Sequence, residues 1–219
     1  MSLLSRADVL PMSGARRALR GAAVLAIVCL HAGLSWHASW DKSLTDDESV
    51  YLAAGWSYWE TGDFRLNREH PPLVKLWASA IPALLYDLRI QPADSYWWRA
   101  GQCQYARTAQ CGFAREHLFR DGPEMAVRLT RLGRLPMIAL SAAGGWVVFL
   151  WSRALWGGAG GMLSLALYAL CPNVLGHGAL MTNDLPVGIF LLLASFAAWQ
   201  TVFRPRAWKP WSAGLALGA

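Results

Sequence analysis

The sequence predicts an all-α, polytopic membrane protein, and three observations carry that prediction. Charged residues make up only 16% of the chain, against roughly 25% in a soluble globular domain. Apolar residues make up 55% and fall in a few long blocks rather than in short alternating runs, as segments of about 20 residues that cross a bilayer do. The third observation is where the net charge of +6 sits. Between Asp41 and Arg134 twelve basic and twelve acidic side chains cancel, so the surplus comes from Arg6, Arg16, Arg17, Arg20, Arg153, Arg204, Arg206 and Lys209 against Asp8 and Asp184. Positive charge in short segments flanking apolar blocks is the positive-inside pattern of membrane topology. It is not a basic patch interleaved with aromatic residues, so nucleic acid is not an expected partner.

Residues 1–17 are polar and arginine-rich, as a cytosolic N-terminus is. The block 18–40 follows as a first transmembrane helix, with Trp36 and Trp40 at its far end where an aromatic belt sits. It is longer than the apolar region of a signal peptide and has no clear small-x-small cleavage site. Residues 41–134 form a large external loop, too long for a simple connector. Within it Glu48–Trp59 reads as an amphipathic juxtamembrane helix behind the cap signal Thr45-Asp46-Asp47. A second helix starts at Pro71-Pro72, where proline is tolerated because its missing N–H has no intrahelical partner. Pro82 interrupts this segment, and its length suits an interfacial or re-entrant helix. Pro123–Arg134 leads back to the membrane.

Residues 135–203 hold transmembrane helices two to four: Leu135–Trp151, Ala159 to about Leu175, and Leu185–Phe203. A tight turn around Ser-Arg-Ala-Leu-Trp-Gly-Gly joins the first two, and a short polar link ending in Thr182-Asn183-Asp184 joins the last two. Residues 204–219 read as a cytosolic loop and a truncated fifth helix from Trp211. With the N-terminus inside, the long loop and Asp184 face outside, while Arg153 and Arg204–Lys209 face inside. Cys29 and Cys171 read as small buried hydrophobes. For Cys103 and Cys111, eight positions apart in the external loop, a disulfide and free thiols both stay open.

Four features of the external side can carry chemistry. They are Thr45-Asp46-Asp47-Glu48, Gly62-Asp63-Phe64-Arg65-Leu66-Asn67, Glu69-His70-Pro71-Pro72-Leu73, and Thr182-Asn183-Asp184. Three adjacent carboxylates repel one another and can raise one another's pKa, which suits a general base. They can equally offer oxygen ligands to a divalent cation, or simply favour a helix N-terminus. Glu69-His70 admits the plain reading of polar residues before a helix start. Asp184, an ionisable residue at the end of an apolar segment, is by default functional.

The order of these features is more specific than any one of them. A first span, an acidic pair, an aromatic helix, Gly-Asp-Phe-Arg-Leu-Asn, Glu-His-Pro-Pro-Leu-x-Lys and a later external aspartate resemble the dolichyl-phosphate-mannose protein mannosyltransferase superfamily, with its bacterial relatives that glycosylate lipids. The resemblance runs from about Arg17 to Trp199 and rests mainly on Asp46–Lys75. It implies a GT-C fold and an inverting transfer of a hexose such as mannose from a polyprenyl-phosphate donor to a protein or lipid hydroxyl, in a bacterial inner membrane.

It further implies Asp47 as general base, with Glu48 beside it and Asp46 as the alternative aligned aspartate. Glu69, His70 and Asp184 would bind substrate, with Asp184 near the acceptor or a metal. Departing phosphate needs cations, and Arg65, Lys75, Arg131 and Arg134 are the nearest, each with surface charge as its plainer reading. Trp56 and Trp59 could stack on a sugar or anchor their helix. Two readings compete. A non-catalytic fragment or partner subunit would keep the same motifs, and a small transporter would use Asp184 and His177 as a relay. The transporter requires polar groups at mid-membrane, whereas the sequence gathers them at one face.

Overall fold

The structure, a computed structural model, describes residues 14–87, 90, 95–100 and 106–203. The predicted cytosolic N-terminal segment, Cys103 with its proposed pairing to Cys111, and the truncated fifth helix lie outside the described residues, apart from the segment's last four positions. Among the described residues every regular element is a helix. In chain order these are α1 (Gly14–Ser39), α2 (Asp46–Thr61), α3 (Pro72–Leu85), α4 (Ser95–Ala100), α5 (Ala106–Leu118), α6 (Pro123–Ala169), α7 (Pro172–His177) and α8 (Asp184–Phe203). Three of them, α1, α6 and α8, are long and apolar enough to cross a membrane, as expected of a multi-pass membrane protein.

The 47-residue α6 is not one straight rod. Its helical geometry breaks at Trp156 and Gly157, where Gly157 adopts φ 74° and ψ −171°, a conformation essentially confined to glycine. The chain turns back there. Added Cβ atoms at Gly144 and Gly145 would meet Tyr168, and one at Gly161 would meet the backbone of Phe149. The two arms of α6 are therefore an antiparallel hairpin with its turn at the predicted Trp-Gly-Gly position. The second arm ends at Ala169, short of the expected Leu175, because Pro172 starts the separate helix α7.

The same contacts orient the other long helices. Arg20 of α1 packs on Gly158 at the hairpin turn, while Ser39 lies beside Arg134 at the start of the first arm. Ile189 of α8 lies against Gly144, and Phe196 stacks on Trp151. So α1 and the first arm of α6 are antiparallel, α8 runs with the first arm, and Ser39, Glu48 and Asp184 gather at one end. That end is called here the motif end.

The outer faces of this bundle are apolar, with Leu25, Leu163 and Leu191 all more than half exposed. Polar groups point inward. His31 of α1 is buried, with Nδ1–H donating to the Ala169 carbonyl at 3.1 Å and Nε2 paired with Ser141 Oγ at 2.8 Å. Tyr168 O–H donates to the Ser141 carbonyl at 2.8 Å. Hydrogen bonds of this kind tie membrane helices together where lipid supplies no hydrophobic driving force. Cys29, expected to be buried, is exposed on α1, and Cys171 is half-buried.

Above the motif end, α2, α3 and α5 pack around an apolar core of Leu52, Leu66, Ala78, Phe113, Leu118 and Leu129. The prolines act as the sequence suggests at the start of α3, but Pro82 sits within the helix rather than ending it. Helices α2 and α3 cross at Gly55, where an added Cβ would lie 2.0 Å from the Lys75 carbonyl oxygen. A side chain there would separate the two backbones.

Candidate functional site

The acidic motif opens α2 with a reciprocal cap. Glu48 N–H donates to Thr45 Oγ1 at 3.3 Å, and Thr45 N–H donates back to Glu48 Oε2 at 3.0 Å. This is the capping box that a Thr-x-x-Glu spacing allows, and it divides the three acids. Asp46 and Asp47 stay exposed in the first turn, whereas Glu48 is fully buried.

The Glu48 carboxylate is also held by Arg134. Nε donates to Oε1 at 2.9 Å and Nη2 to Oε2 at 2.8 Å, and both side chains are buried. Arg134 further donates to the carbonyls of Ser39, Lys42 and Ser43. The Met181 amide adds a longer bond of 3.4 Å to Glu48 Oε1. One guanidinium thus ties together the end of α1, the start of α2 and the first arm of α6. A buried charge needs this degree of satisfaction to be tolerated. It leaves Glu48 and Arg134 committed to each other.

Lys75 is committed in the same way. Its ammonium is buried and donates to the carbonyls of Asn67 and His70 (2.7 Å to the latter) and to Tyr58 Oη at 3.3 Å. Burial pushes its pKa down to about 8, with the Glu69 charge pulling the other way. Tyr58 O–H donates to the Leu66 carbonyl. Burial, with the charge of Glu69 adding to it, raises the Tyr58 pKa. Together these bonds fix the 62–70 loop on α2 and α3. Within the loop, Arg65 closes on Asp63, with Nε 2.7 Å from Oδ2. That hydrogen bond lowers the Asp63 pKa. The guanidinium also stacks on Trp97 and Trp98, 4.8 and 5.0 Å from their ring centres.

The fixed loop carries Glu69 and His70 to α2. Asn67, at φ 50°, donates through Nδ2 to Glu69 Oε2 and to Gln110 Oε1, both at 3.2 Å. Gln110 Nε2 lies 3.4 and 3.5 Å from the two Glu69 oxygens. The His70 ring sits 5.7 Å from that of Tyr51.

Tyr51 is where the separate motifs meet. Its pKa is pushed up to about 12, first by burial and then by the charges of Asp47, Asp184 and Glu69. Those three carboxylates come from α2, α8 and the 62–70 loop, and all act on one phenol. Of the two aspartates in the motif, Asp47 is the one whose charge acts there. Four positions separate Asp47 and Tyr51, so they share a face of α2. Asp184, exposed at the start of α8, accepts from Thr182 Oγ1 at 3.3 Å and lies 3.8 Å from His177 Nδ1.

The structure therefore sets the His70 ring beside Tyr51 and puts the charges of Asp47, Glu69 and Asp184 within electrostatic reach of its phenol. It places Glu48, Lys75 and Arg65 in supporting contacts with protein partners. Arg131 is held by Trp40, whose ring lies 3.7 Å away and whose carbonyl accepts from Nε at 3.3 Å. Trp59 donates to the Leu76 carbonyl at 3.1 Å, and Trp56 is buried. Among the described residues no three carboxylate, imidazole or thiol groups are grouped closely enough to hold a metal ion. Comparison with protein-family models, with curated proteins and with solved structures finds no match to this chain.

Proposed function

We propose that this chain belongs to a membrane glycosyltransferase that moves a hexose from a polyprenyl-phosphate donor to a hydroxyl of a protein or lipid. The observation that carries the reading is that the charges of Asp47, Glu69 and Asp184, from three separate segments, all reach Tyr51 at one end of the membrane helices. A donor with a long prenyl tail presents its sugar at such a boundary, and its phosphate is already a good leaving group. What the protein must add is a base for the acceptor hydroxyl and donors for the phosphate.

Asp47 is the base in this reading. Its exposed carboxylate takes the acceptor proton as the acceptor oxygen bonds to the anomeric carbon, and the bond from that carbon to the phosphate oxygen breaks. One in-line displacement inverts the anomeric centre. With a pKa of about 12, Tyr51 keeps its O–H at neutral pH and can donate it to a phosphate or a sugar oxygen. Glu69 and Asp184 accept from sugar hydroxyls. The membrane is the bacterial inner membrane, with the N-terminus cytosolic and the motif end outside.

The test is transfer of radiolabelled sugar from polyprenyl-phosphate donors in membranes containing the protein, Asp47→Asn or Asp46→Asn. Loss of turnover by about 100-fold or more in Asp47→Asn, with Asp46→Asn near the parent rate, is the expected result for a general base. An unchanged rate in Asp47→Asn removes that aspartate from the mechanism. Absence of transfer from every donor favours the non-catalytic reading.

A further inference from the structure

The end of the bundle opposite the acidic face of Asp47, Glu69 and Asp184 carries charge of one sign only. Ser39 of α1 meets Arg134 of α6 at the motif end. Nineteen positions lead from Ser39 back to Arg20, and nineteen from Arg134 on to Arg153, about 29 Å of helix in each case. A hydrocarbon core is about 30 Å thick, so Arg20 and Arg153 stand level with each other at the far headgroup boundary. The contacts at the hairpin turn agree. The Arg20 guanidinium packs where a Cβ on Gly158 would be, and the Arg153 Cβ is the nearest atom to a Cβ added at Gly161. Gly158 and Gly161, three positions apart, share a face of the second arm of α6, so both arginines lie against its start.

These cations are unbalanced. No hydrogen bond or ion pair joins Arg17, Arg20 or Arg153 to another described residue. Arg17 stands one turn before Arg20 on the same side of α1, and Arg17 and Arg153 are exposed. The helices around them supply no carboxylate: the sequence has no Asp or Glu between Asp8 and Asp41, between Glu124 and Asp184, or after Asp184. The first amides of the second arm are donors too, so they cannot satisfy a guanidinium. Like charges one turn apart repel, and an anion from outside the chain relieves that repulsion. Apolar surface flanks the charges, with Leu19 and Trp156 both exposed beside them and Leu25 and Leu163 exposed toward the bilayer.

We propose that this end of the bundle binds the phosphate of an anionic phospholipid, held by Arg20 and Arg153 with Arg17 beside them, and its acyl chains along the exposed apolar faces of α1 and α6. Guanidinium groups match phosphate oxygens in geometry as well as in charge. Basic groups between membrane helices bind lipid headgroups in this way, each arginine strengthening the attraction about fivefold. A phospholipid uses both the arginines and the apolar surface next to them, whereas a soluble anion uses the arginines alone. The site is independent of any sugar transfer at the acidic face.

The experiment is calorimetric titration of the protein, in an uncharged detergent, with dihexanoyl phosphatidylglycerol, dihexanoyl phosphatidylcholine and inorganic phosphate. Phosphatidylglycerol binds saturably, and the other two bind at least about fivefold more weakly. Arg20→Gln and Arg153→Gln each weaken phosphatidylglycerol about fivefold, the share of one arginine. Arg128→Gln, at an exposed arginine near the motif end, binds as the parent does. Arg153 is exposed, so its substitution leaves the packing intact even if Arg20→Gln disturbs the turn. Absence of saturable phosphatidylglycerol binding overturns the proposal, as does equal affinity for phosphatidylcholine or for inorganic phosphate. Unaltered binding by Arg153→Gln also overturns it. Equal weakening in Arg128→Gln does so too, because net charge alone would then account for the effect.

Discussion

Glu48 and Arg134 form a two-pronged ion pair, with N···O distances of 2.9 and 2.8 Å and neither side chain more than 1% exposed. Removing one partner strands the other as a buried charge, which costs about 3–5 kcal/mol. Arg134→Met should therefore lower the melting temperature of the purified protein sharply. Asp47→Asn, at an exposed position one residue from Glu48, should change it little. Equal melting of Arg134→Met and the parent would mean that the pair does not hold the helices together.

Gly55 sets the distance between α2 and α3. A methyl group there would collide with the Lys75 carbonyl at 2.0 Å, and the backbone cannot yield as a flexible side chain would. Gly55→Ala should cost at least the roughly 1–3 kcal/mol of an overpacked core. Gly33 on α1 has nothing within 4 Å of its added Cβ, so Gly33→Ala is the neutral control. Thermal unfolding of the two variants side by side measures the contrast.

Lys75 gives stability a pH dependence. In the unfolded chain the amine keeps its proton to about pH 10.5, but in the fold only to about 8. Between those values the unfolded state holds more protons, so stability rises with pH across that window. The difference in melting temperature between the parent and Lys75→Met, followed from pH 7 to 10.5, should shift in the parent's favour. A constant difference would mean that the folded amine titrates at its ordinary value.

Gln110 and Asn67 orient the Glu69 carboxylate. Gln110→Leu keeps the volume of the side chain but removes the donor to Glu69 and the acceptor for one Asn67 N–H, while Glu69 stays in place and exposed. Under the proposed function, transfer should fall about tenfold, as for a displaced substrate contact, with unfolding free energy lower by no more than the roughly 1–3 kcal/mol of one buried donor left unpaired. An unchanged rate beside that loss of stability would assign Gln110 a purely structural role.

Much of this arrangement is legible in the sequence, for local reasons. The Thr45 cap, the proline start of α3, the turn at Trp156–Gly157 and the long apolar helices each depend on residues close together in the chain. That Asp47 and Tyr51 share a face of α2 is legible as well, because they stand at i and i+4. What the sequence did not disclose is which polar residues are spent on packing. Lys75 and Arg65 appear as available cations until the carbonyls of Asn67 and His70 and the carboxylate of Asp63 are seen to hold them. Gln110 reaches Asn67 across 43 residues, and His31 reaches Ala169 across 138. No periodicity connects such positions.

The 86 residues between Glu48 and Arg134 also set a schedule. At roughly 5–20 residues per second of synthesis, the carboxylate emerges some 4 to 17 seconds before its guanidinium. The Met181 amide arrives later still. Through that interval α2 has its own cap but no anchor, so Glu48 waits in water, not in a core. The acidic face is consequently a late product of biogenesis: its first motif is made early and acquires its shape only when Arg134, Met181 and Asp184 have followed.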